Sequence, residues 1–211
     1  MVEQEKIRVS EDEYMEHYAH DFYEWVDGEL INLREGNSDM SPISLPHDSL
    51  QDYLRDWLKI YLQMNPIGRV VGSPFSMRLH KISYREPDLQ VILKTNPGQL
   101  TETGMIGAAD ICIEIVSPES VERDYVDKLR EYEKGGVREY WIFDLKRKDS
   151  QFYRLNEDNT YTHILPDAEG NYSTPLLPRF KLHLPTLWAD EPPDTAAIVD
   201  AVRTMLAKES S

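Results

Sequence analysis

Residues 109–118 read ADICIEIVSP, and this stretch decides the fold class. Residues 109–116 are almost wholly apolar, as is typical of a strand that is covered on both faces of a sheet. Ser117-Pro118 ends the strand, a predicted helix over about 121–134 follows, and residues 139–145 form a second apolar strand. A strand, a crossover helix and a strand imply a parallel pair with a right-handed connection. We therefore expect an α/β protein with a mixed sheet.

The elements around this unit also follow from the sequence. An N-terminal helix opens at Ser10, before three acidic residues that favour a helix start, and extends to about His20. A hairpin over 22–33 turns at Asp27-Gly28. The longest helix carries an apolar stripe that comprises Leu50, Tyr53, Leu54, Trp57, Leu58, Tyr61 and Leu62. The crossover helix ends at Gly135-Gly136 and places on one face Val121, Tyr125, Leu129 and Tyr132. The other predicted elements are strands over about 69–79 and 89–93, short strands over 151–183 and a final helix over about 194–207.

Composition excludes several classes of protein. With 211 residues, of which 40% are hydrophobic, the chain can bury a substantial core and is not a disordered protein. The single cysteine excludes an intramolecular disulfide framework and a cysteine-built zinc site. No stretch approaches the roughly 18 apolar residues of a membrane span, and none resembles a signal peptide. We therefore expect a cytoplasmic protein that makes no membrane contact.

The net charge of −15 opposes a nucleic-acid partner, because phosphate contacts dominate such binding. The charge is unevenly distributed along the chain, however. Residues 1–50 carry a net charge of −10, residues 51–150 carry −1 and residues 151–211 carry −4. The middle of the chain is thus nearly neutral, and the overall charge does not exclude a nuclease.

Two carboxylates stand in or beside the apolar strands. Asp88 immediately precedes Leu89 and lies on the opposite face. Glu114 shares the face of Cys112, opposite Ile113, inside the central strand. An unpaired charge buried there costs several kcal/mol, so Glu114 needs a partner such as a metal ion or a lysine. The alternatives are a core salt bridge or an exposed position at the end of the sheet.

Lys128, on the crossover helix, is the candidate partner because that helix packs back onto the sheet. Alternatively, Asp124 and Lys128 form an ordinary surface pair worth about 0.3–0.5 kcal/mol. Asp88 and Glu114, with the backbone carbonyl of Ile115, have the chemistry of a Mg²⁺ (or Mn²⁺) site. A metal there polarises a phosphodiester, and Lys128 positions water or stabilises charge in the transition state.

Several longer motifs occur along the chain in a fixed order. They are residues 23–30 (YEWVDGEL), Ser41-Pro42 followed by His47, Pro87-Asp88, residues 109–120, Arg123-Asp124 with Lys128 and Tyr132, and residues 136–144. Over about 20–185 this series closely resembles the Uma-two family of the PD-(D/E)XK nuclease superfamily. The resemblance implies a restriction-endonuclease-like fold, in which helices flank a central mixed sheet. The N-terminal helix with its hairpin and the C-terminal helix are extensions to that fold.

The resemblance also implies roles for individual residues. Asp88 matches the first metal carboxylate of the family, and Glu114 matches the acidic residue of the second motif. The lysine expected two residues later is absent, since Val116 occupies that position. Lys128 on the next helix supplies it instead. The implied cofactor is Mg²⁺ or Mn²⁺, and the implied substrate is DNA.

Two further residues are auxiliary candidates. Asp110, at the start of the central strand, follows an alanine where the family usually has proline. His47, at the start of the long helix, is either a phosphate contact or an ordinary polar residue at a helix end. The remaining chemical groups have simpler structural interpretations: an exposed pair for His17 and His20, a hairpin turn for Lys146-Arg147-Lys148, and core packing for Cys112, Trp25 and Trp57.

Two functions from different classes remain open. The first is a Mg²⁺-dependent DNA endonuclease, with the chain forming a single domain over 1–211. In this scheme residues 1–20 are an acidic N-terminal segment, about 20–185 the nuclease core and about 186–211 a helical extension. The second is a non-catalytic interaction or scaffold protein that retains the nuclease fold, which the acidic first 50 residues favour. A homodimer suits cleavage of both strands, with the apolar residues of the final helix as its interface.

Overall fold

A computed structural model describes residues 7–19, 23–33, 45–80, 83–118 and 120–207. The helices in these ranges are α1 (Glu11–His17), α2 (Leu45–Met64), α3 (Lys128–Gly135), α4 (Leu184–Leu187) and α5 (Thr195–Ala207). The strands in the same ranges are β1 (Tyr23–Val26), β2 (Glu29–Asn32), β3 (Gly68–Gly72), β4 (Ser76–His80), β5 (Ser83–Arg85), β6 (Leu89–Leu93), β7 (Gln99–Leu100), β8 (Gly104–Ile106), β9 (Ile111–Val116), β10 (Glu139–Asp144), β11 (Asp149–Leu155), β12 (Tyr161–His163), β13 (Asn171–Ser173) and β14 (Lys181–His183). The protein is α/β with mixed sheets, as the sequence predicts.

The central sheet contains β9, which lies in the stretch 109–118 that decides the fold class. Within the described residues its strand order is β12-β11-β10-β9-β6-β3. β9 and β10 are parallel, with Ile111 opposite Glu139 and Val116 opposite Asp144, so the predicted parallel pair is confirmed. The other neighbouring strands pair antiparallel. All six residues of β9 are buried, as expected for a strand covered on both faces.

One face of the central sheet packs against α2 and α5. Ile111, Ile113 and Ile115 of β9 lie in this core together with the apolar stripe of α2. Ile198 and Val202 of α5 are buried in the same core. The apolar face of the final helix therefore covers the core of its own chain. The expectation that the apolar residues of this helix are exposed is therefore wrong for Ile198 and Val202, whereas the homodimer stays a prediction.

The other face of the central sheet packs against α3 and a second sheet. Cys112 and Val116 of β9 lie there beside Met77 of β4 and Tyr132 of α3. Within the described residues the second sheet has the order β2-β1-β5-β4-β8-β7. Glu114 shares the Cys112 face of β9, so its side chain enters the layer between the central sheet and these elements.

The predicted strand over 69–79 is two strands in different sheets. β3 pairs with β6 in the central sheet, whereas β4 pairs with β5 and β8 in the second sheet. The chain turns between them at residues 73–75, where Pro74 has no N–H to offer a strand ladder. Because of this break, the apolar run over 69–79 contributes one strand to the central sheet and one to the second sheet.

The crossover helix is helical from residue 121 and contains a π-helical turn, Arg123–Asp127, that continues directly into α3. The backbone N–H of Lys128 bonds to the carbonyl of Arg123, five residues earlier. This wider turn shifts the helix register, so Val121 is exposed while Lys128 is buried. The prediction that Val121 shares the buried face is therefore wrong. The predicted glycine end is confirmed, since Gly136 is left-handed with φ +82°.

The N-terminal elements match the sequence patterns. The Ser10 hydroxyl accepts a hydrogen bond from the Glu13 backbone N–H and caps α1. Asp27 and Gly28 both have positive φ, 52° and 84°, as a type I′ turn requires. β1 pairs with β5 as well as with β2, which brings Glu24 into the interior of the protein. In the described ranges, no helix is both long and apolar enough to cross a membrane.

Candidate active site

A cleft of about 310 Å³ opens where β6 begins and β9 ends. The predicted site residues that line it are Asp88, Glu114, Ile115, Lys128 and His47. Further lining residues include Asp48, Gln51, Arg55, Glu86, Ser117, Ser120, Arg123 and Asp124. The structure thus brings the candidate catalytic residues together from four separate segments of the chain.

Asp88 stands on the wall of this cleft just before β6. Its Oδ2 accepts a hydrogen bond from the backbone N–H of Ile115 at 2.7 Å. Gln51 of α2 donates to the Asp88 backbone carbonyl at 2.9 Å. These two contacts fix the backbone and the carboxylate, while 21% of the side chain stays exposed. Asp88 is therefore both positioned and accessible.

His47 lies against two of the predicted metal ligands. Its Nε2 is 3.1 Å from the carbonyl oxygen of Ile115 and 3.4 Å from Oδ2 of Asp88. Burial lowers the pKa of His47, but its hydrogen bond to Asp88 and the charge of that carboxylate outweigh burial, so the pKa is raised above its ordinary value. The imidazole thus contacts the oxygen atoms that the sequence assigns to a metal.

Glu114 and Lys128 form a buried ion pair with a separation of 2.8 Å. The Tyr132 hydroxyl donates a second hydrogen bond to Glu114 Oε1, also at 2.8 Å. Burial, together with the charges of the nearby Asp124 and Asp88 carboxylates, outweighs the lowering effect of Lys128 and raises the pKa of Glu114 to about 8. The predicted partnership between Lys128 and the central strand is present in the structure.

Lys128 has two further carboxylate partners: Asp124, which the sequence offers only as a surface partner, and Glu24, which sequence reasoning does not reveal. Its Nζ lies 3.4 Å from Asp124 Oδ1 and 3.6 Å from Glu24 Oε1. Burial lowers the pKa of Lys128, but the surrounding carboxylates raise it by more, so the ammonium stays charged. The Asp124–Lys128 pair exists, but both side chains are buried. The surface-pair alternative is therefore wrong.

Glu24 connects the N-terminal hairpin to this cluster. Arg85 of β5 donates to Glu24 Oε2 at 2.7 Å, and Arg85 also pairs with Glu131 of α3. Although burial opposes it, the neighbouring cations Lys128 and Arg85 hold the pKa of Glu24 below its usual range. The sequence feature that points to Glu24 is the motif YEWVDGEL, in which Glu24 directly precedes the core residue Trp25.

Asp110, the other auxiliary candidate, lies outside the cleft. Its carboxylate accepts hydrogen bonds from the Leu93 backbone N–H and the Asn96 side chain, both at 2.8 Å. Arg138 completes the set at 3.2 Å. These contacts tie the end of β6 to the start of β9, so the role of Asp110 is structural and the auxiliary assignment is dropped.

The weaker candidates take the structural roles expected of them. Cys112, Trp25 and Trp57 are buried core residues. Residues 146–148 form the turn between β10 and β11. His17 is largely exposed, and its predicted partner His20 lies outside the described residues.

The oxygen donors at the cleft suit a hard divalent cation. The Asp88 and Glu114 carboxylates and the Ile115 carbonyl are the ligand types that Mg²⁺ and Mn²⁺ prefer. Among the described residues, no three His, Cys, Asp or Glu side chains already form a cage for an ion. Mg²⁺ does not need one, because it is usually held by one or two carboxylates together with water and substrate phosphate.

Replacing Glu24 with glutamine is expected to destabilise the protein by about 1–3 kcal/mol, because it weakens a charge-assisted hydrogen bond from Arg85 and removes the ion pair with Lys128. The native pKa of Glu24 is lowered, so its contribution is present above the unfolded pKa of about 4.3 and is lost as pH falls below it. Urea unfolding at pH 7 and pH 3.5 should show the difference from wild type shrink at acid pH. Glu16→Gln, on the exposed face of α1, is the control; an equal effect in both variants would contradict the assignment.

The same fold and family are found among known proteins. A solved structure described as a "putative nuclease belonging to DUF820", from Anabaena variabilis, has a TM-score of 0.68 and 16% identity to this chain. The match covers 85% of this chain and 97% of that one, and at this identity it shows the fold alone. No curated protein matches the chain. The family model Uma2, described as "Putative restriction endonuclease", matches residues 12–185, which is well over half of the chain. The chain therefore belongs to the Uma2 family, as its motifs predict.

Proposed function

We propose that this protein is a divalent-metal-dependent endonuclease that hydrolyses phosphodiester bonds in DNA. The observation that carries the proposal is the convergence of Asp88, Glu114, the Ile115 carbonyl and Lys128 on one cleft. Membership of a family of nucleases supports the class of reaction. The near-neutral middle of the chain is compatible with a polyanionic substrate.

Each residue has a defined role in this proposal. Asp88, Glu114 and the Ile115 carbonyl would hold Mg²⁺ or Mn²⁺, which when bound polarises the phosphodiester and lowers the pKa of a coordinated water. Lys128 supplies a permanently charged ammonium at the base of the cleft, where it stabilises negative charge that develops on the phosphate. Its buried position excludes bulk water and strengthens that interaction.

Two arginines at the cleft give the proposal a way to bind DNA. The side chains of Arg55 on α2 and Arg123 on the π-helical turn are 38% and 27% exposed. Arginine contacts to phosphate position a nucleic acid without reading its sequence. These two residues place positively charged side chains at the cleft of a chain whose overall charge is −15.

The direct test is cleavage of supercoiled plasmid and single-stranded circular DNA in the presence of excess Mg²⁺ or Mn²⁺. The proposal predicts nicked or linear products with metal and intact DNA with excess EDTA. For the variant Asp88→Asn, Asp48→Asn serves as the charge-matched control, because Asp48 is an exposed residue at the same cleft. Intact DNA under all metal conditions would instead favour the non-catalytic interaction protein.

A further inference from the structure

The turn between β10 and β11 carries three consecutive cations that the proposed site does not use. They are Lys146, Arg147 and Lys148, and all three are exposed. A charged turn between two antiparallel strands is common by itself. Two features distinguish this one, namely its place beside the cleft and the fixed geometry of Arg147.

The basic turn (residues 145–148) lies at the same edge of the central sheet as the cleft. β9 and β10 are parallel, with Val116 opposite Asp144, so Ser117 and Leu145 follow at the same edge on neighbouring strands. Ser117 lines the cleft. Neighbouring strands lie about 4.8 Å apart, so the basic turn is roughly 10 Å along this edge from the start of β6, two strands away.

The two helices that border the cleft also border the basic turn. The Arg147 guanidinium lies 5.7 Å from the ring centroid of Tyr125, which belongs to the same π-helical turn as the cleft residue Arg123. On the other side, Lys148 lines a groove together with Pro46 in the first turn of α2. The space between the start of α2 and the π-helical turn therefore continues from the cleft to the basic turn.

Arg147 is held in place while most of its side chain remains exposed. Its backbone N–H donates to Oδ1 of Asp144 at 2.9 Å, and its Nη1 donates to Oδ2 of the same carboxylate at 3.0 Å. Asp144 is buried, and the Tyr125 hydroxyl also donates to its Oδ2 at 3.3 Å. The Arg147 side chain is nevertheless 61% exposed. A guanidinium that is already fixed on one side loses little conformational entropy when it binds a phosphate.

The two lysines of the basic turn are not held by strong contacts. The ion pairs within the described ranges do not include Lys146. Lys148 lies 3.2 Å from a carboxylate oxygen of Asp190, whose side chain is 97% exposed. An exposed pair of this kind is weak, so a phosphate can replace the carboxylate. Three cationic groups are thus accessible to a phosphate backbone, and Lys146 has no anionic partner to displace.

We propose that the basic turn binds the phosphate backbone of DNA that passes through the cleft. One strand of DNA carries a phosphate about every 3.4 Å along the helix axis, so the distance of roughly 10 Å corresponds to a few nucleotides. Phosphate contacts position DNA without reading its sequence, so the basic turn would orient the strand and leave its sequence unselected. The inference rests on the proposed function, since it takes DNA as the occupant of the cleft.

The test measures the binding of a fluorescein-labelled DNA duplex to the full chain by fluorescence anisotropy. The titrations are repeated over a series of KCl concentrations, with Ca²⁺ in place of Mg²⁺ so that the DNA stays intact. Lys146→Gln combined with Arg147→Gln should raise the Kd roughly tenfold or more and reduce the slope of log K against log salt by about two, one for each phosphate contact. Lys146→Gln alone should reduce the slope by about one and leave the contacts of Arg147 in place.

The matched control combines Lys94→Gln with Lys134→Gln. Both lysines are exposed, and the pair carries the same charge as Lys146 and Arg147. Lys94 directly follows β6 at the opposite edge of the central sheet, and Lys134 lies near the end of α3. The control should leave the Kd and the salt slope close to those of wild type. Equal effects of the two double variants would show a dependence on net charge alone and overturn the docking surface, as would an unchanged slope in the turn variants.

Cleavage kinetics separate this inference from the proposed function. The turn variants should raise the KM for plasmid nicking, whereas Asp88→Asn should lower kcat. An unchanged KM in the turn variants of an active enzyme would overturn the docking surface and leave the endonuclease intact. Wild type that binds DNA through the basic turn but cleaves none with Mg²⁺ or Mn²⁺ would contradict the endonuclease and support the docking surface.

Discussion

Replacing Asp88 with asparagine is expected to lower the rate of DNA cleavage by roughly a hundredfold or more. Asparagine keeps the size of the side chain and can still accept the hydrogen bond from the Ile115 N–H, so the fold is retained. It removes the negative charge that holds the metal. The measurement is the initial rate of plasmid nicking at saturating Mg²⁺, with the melting temperature as a check on folding.

Asp110→Asn provides an informative comparison for this prediction. Asp110 is a buried aspartate beside the same two strands, but it lies outside the cleft and bonds to Asn96 and Arg138. We expect this variant to lose stability and to keep its cleavage rate per folded molecule. An unchanged cleavage rate in Asp88→Asn would remove Asp88 from the catalytic site.

Replacing Lys128 with methionine is expected to have the largest effect on stability, about 3–5 kcal/mol. Three carboxylates surround its ammonium, at distances from 2.8 to 3.6 Å, and all would lose their shared cation. Cleavage should also be lost, because the fixed positive charge at the base of the cleft disappears. Urea unfolding followed by circular dichroism measures the first effect.

A second substitution distinguishes charge from packing in this case. The double variant Lys128→Met with Glu114→Gln should recover part of the lost stability, since it removes the carboxylate that lies closest to Nζ. Lys134→Met on the same helix is the matched control and should change stability by less than about 0.5 kcal/mol, because Lys134 is exposed. A loss of less than about 1 kcal/mol in Lys128→Met would contradict a buried charge cluster.

The sequence predicts the centre of the fold well because local patterns determine it. The isoleucine-rich strand, its parallel partner, the Asp27-Gly28 turn and the stripe of α2 all follow from periodicity and turn chemistry. Patterns of this kind do not reveal which sheet a strand joins. Periodicity alone therefore predicts one strand over the apolar run 69–79, whereas the run forms two strands in different sheets.

The candidate site was predictable only in part, for a similar reason. Asp88, Glu114 and Lys128 each follow from a motif or from an unusual charge in an apolar context. Glu24, in the first hairpin, contacts Lys128, and the spacing of these residues in the sequence does not predict that contact. The π-helical turn was also hidden, since its one-residue register shift buries Lys128 without any change in composition.

The most direct measurement of the central claim is anomalous diffraction from crystals of the full chain grown with Mn²⁺. The account predicts an anomalous peak in the cleft about 2 Å from oxygen atoms of Asp88, Glu114 and the Ile115 carbonyl, with the His47 ring displaced from that carbonyl. Crystals of Asp88→Asn should lack that peak. A cleft without metal in wild-type crystals, at a Mn²⁺ concentration that supports DNA cleavage, would contradict the account.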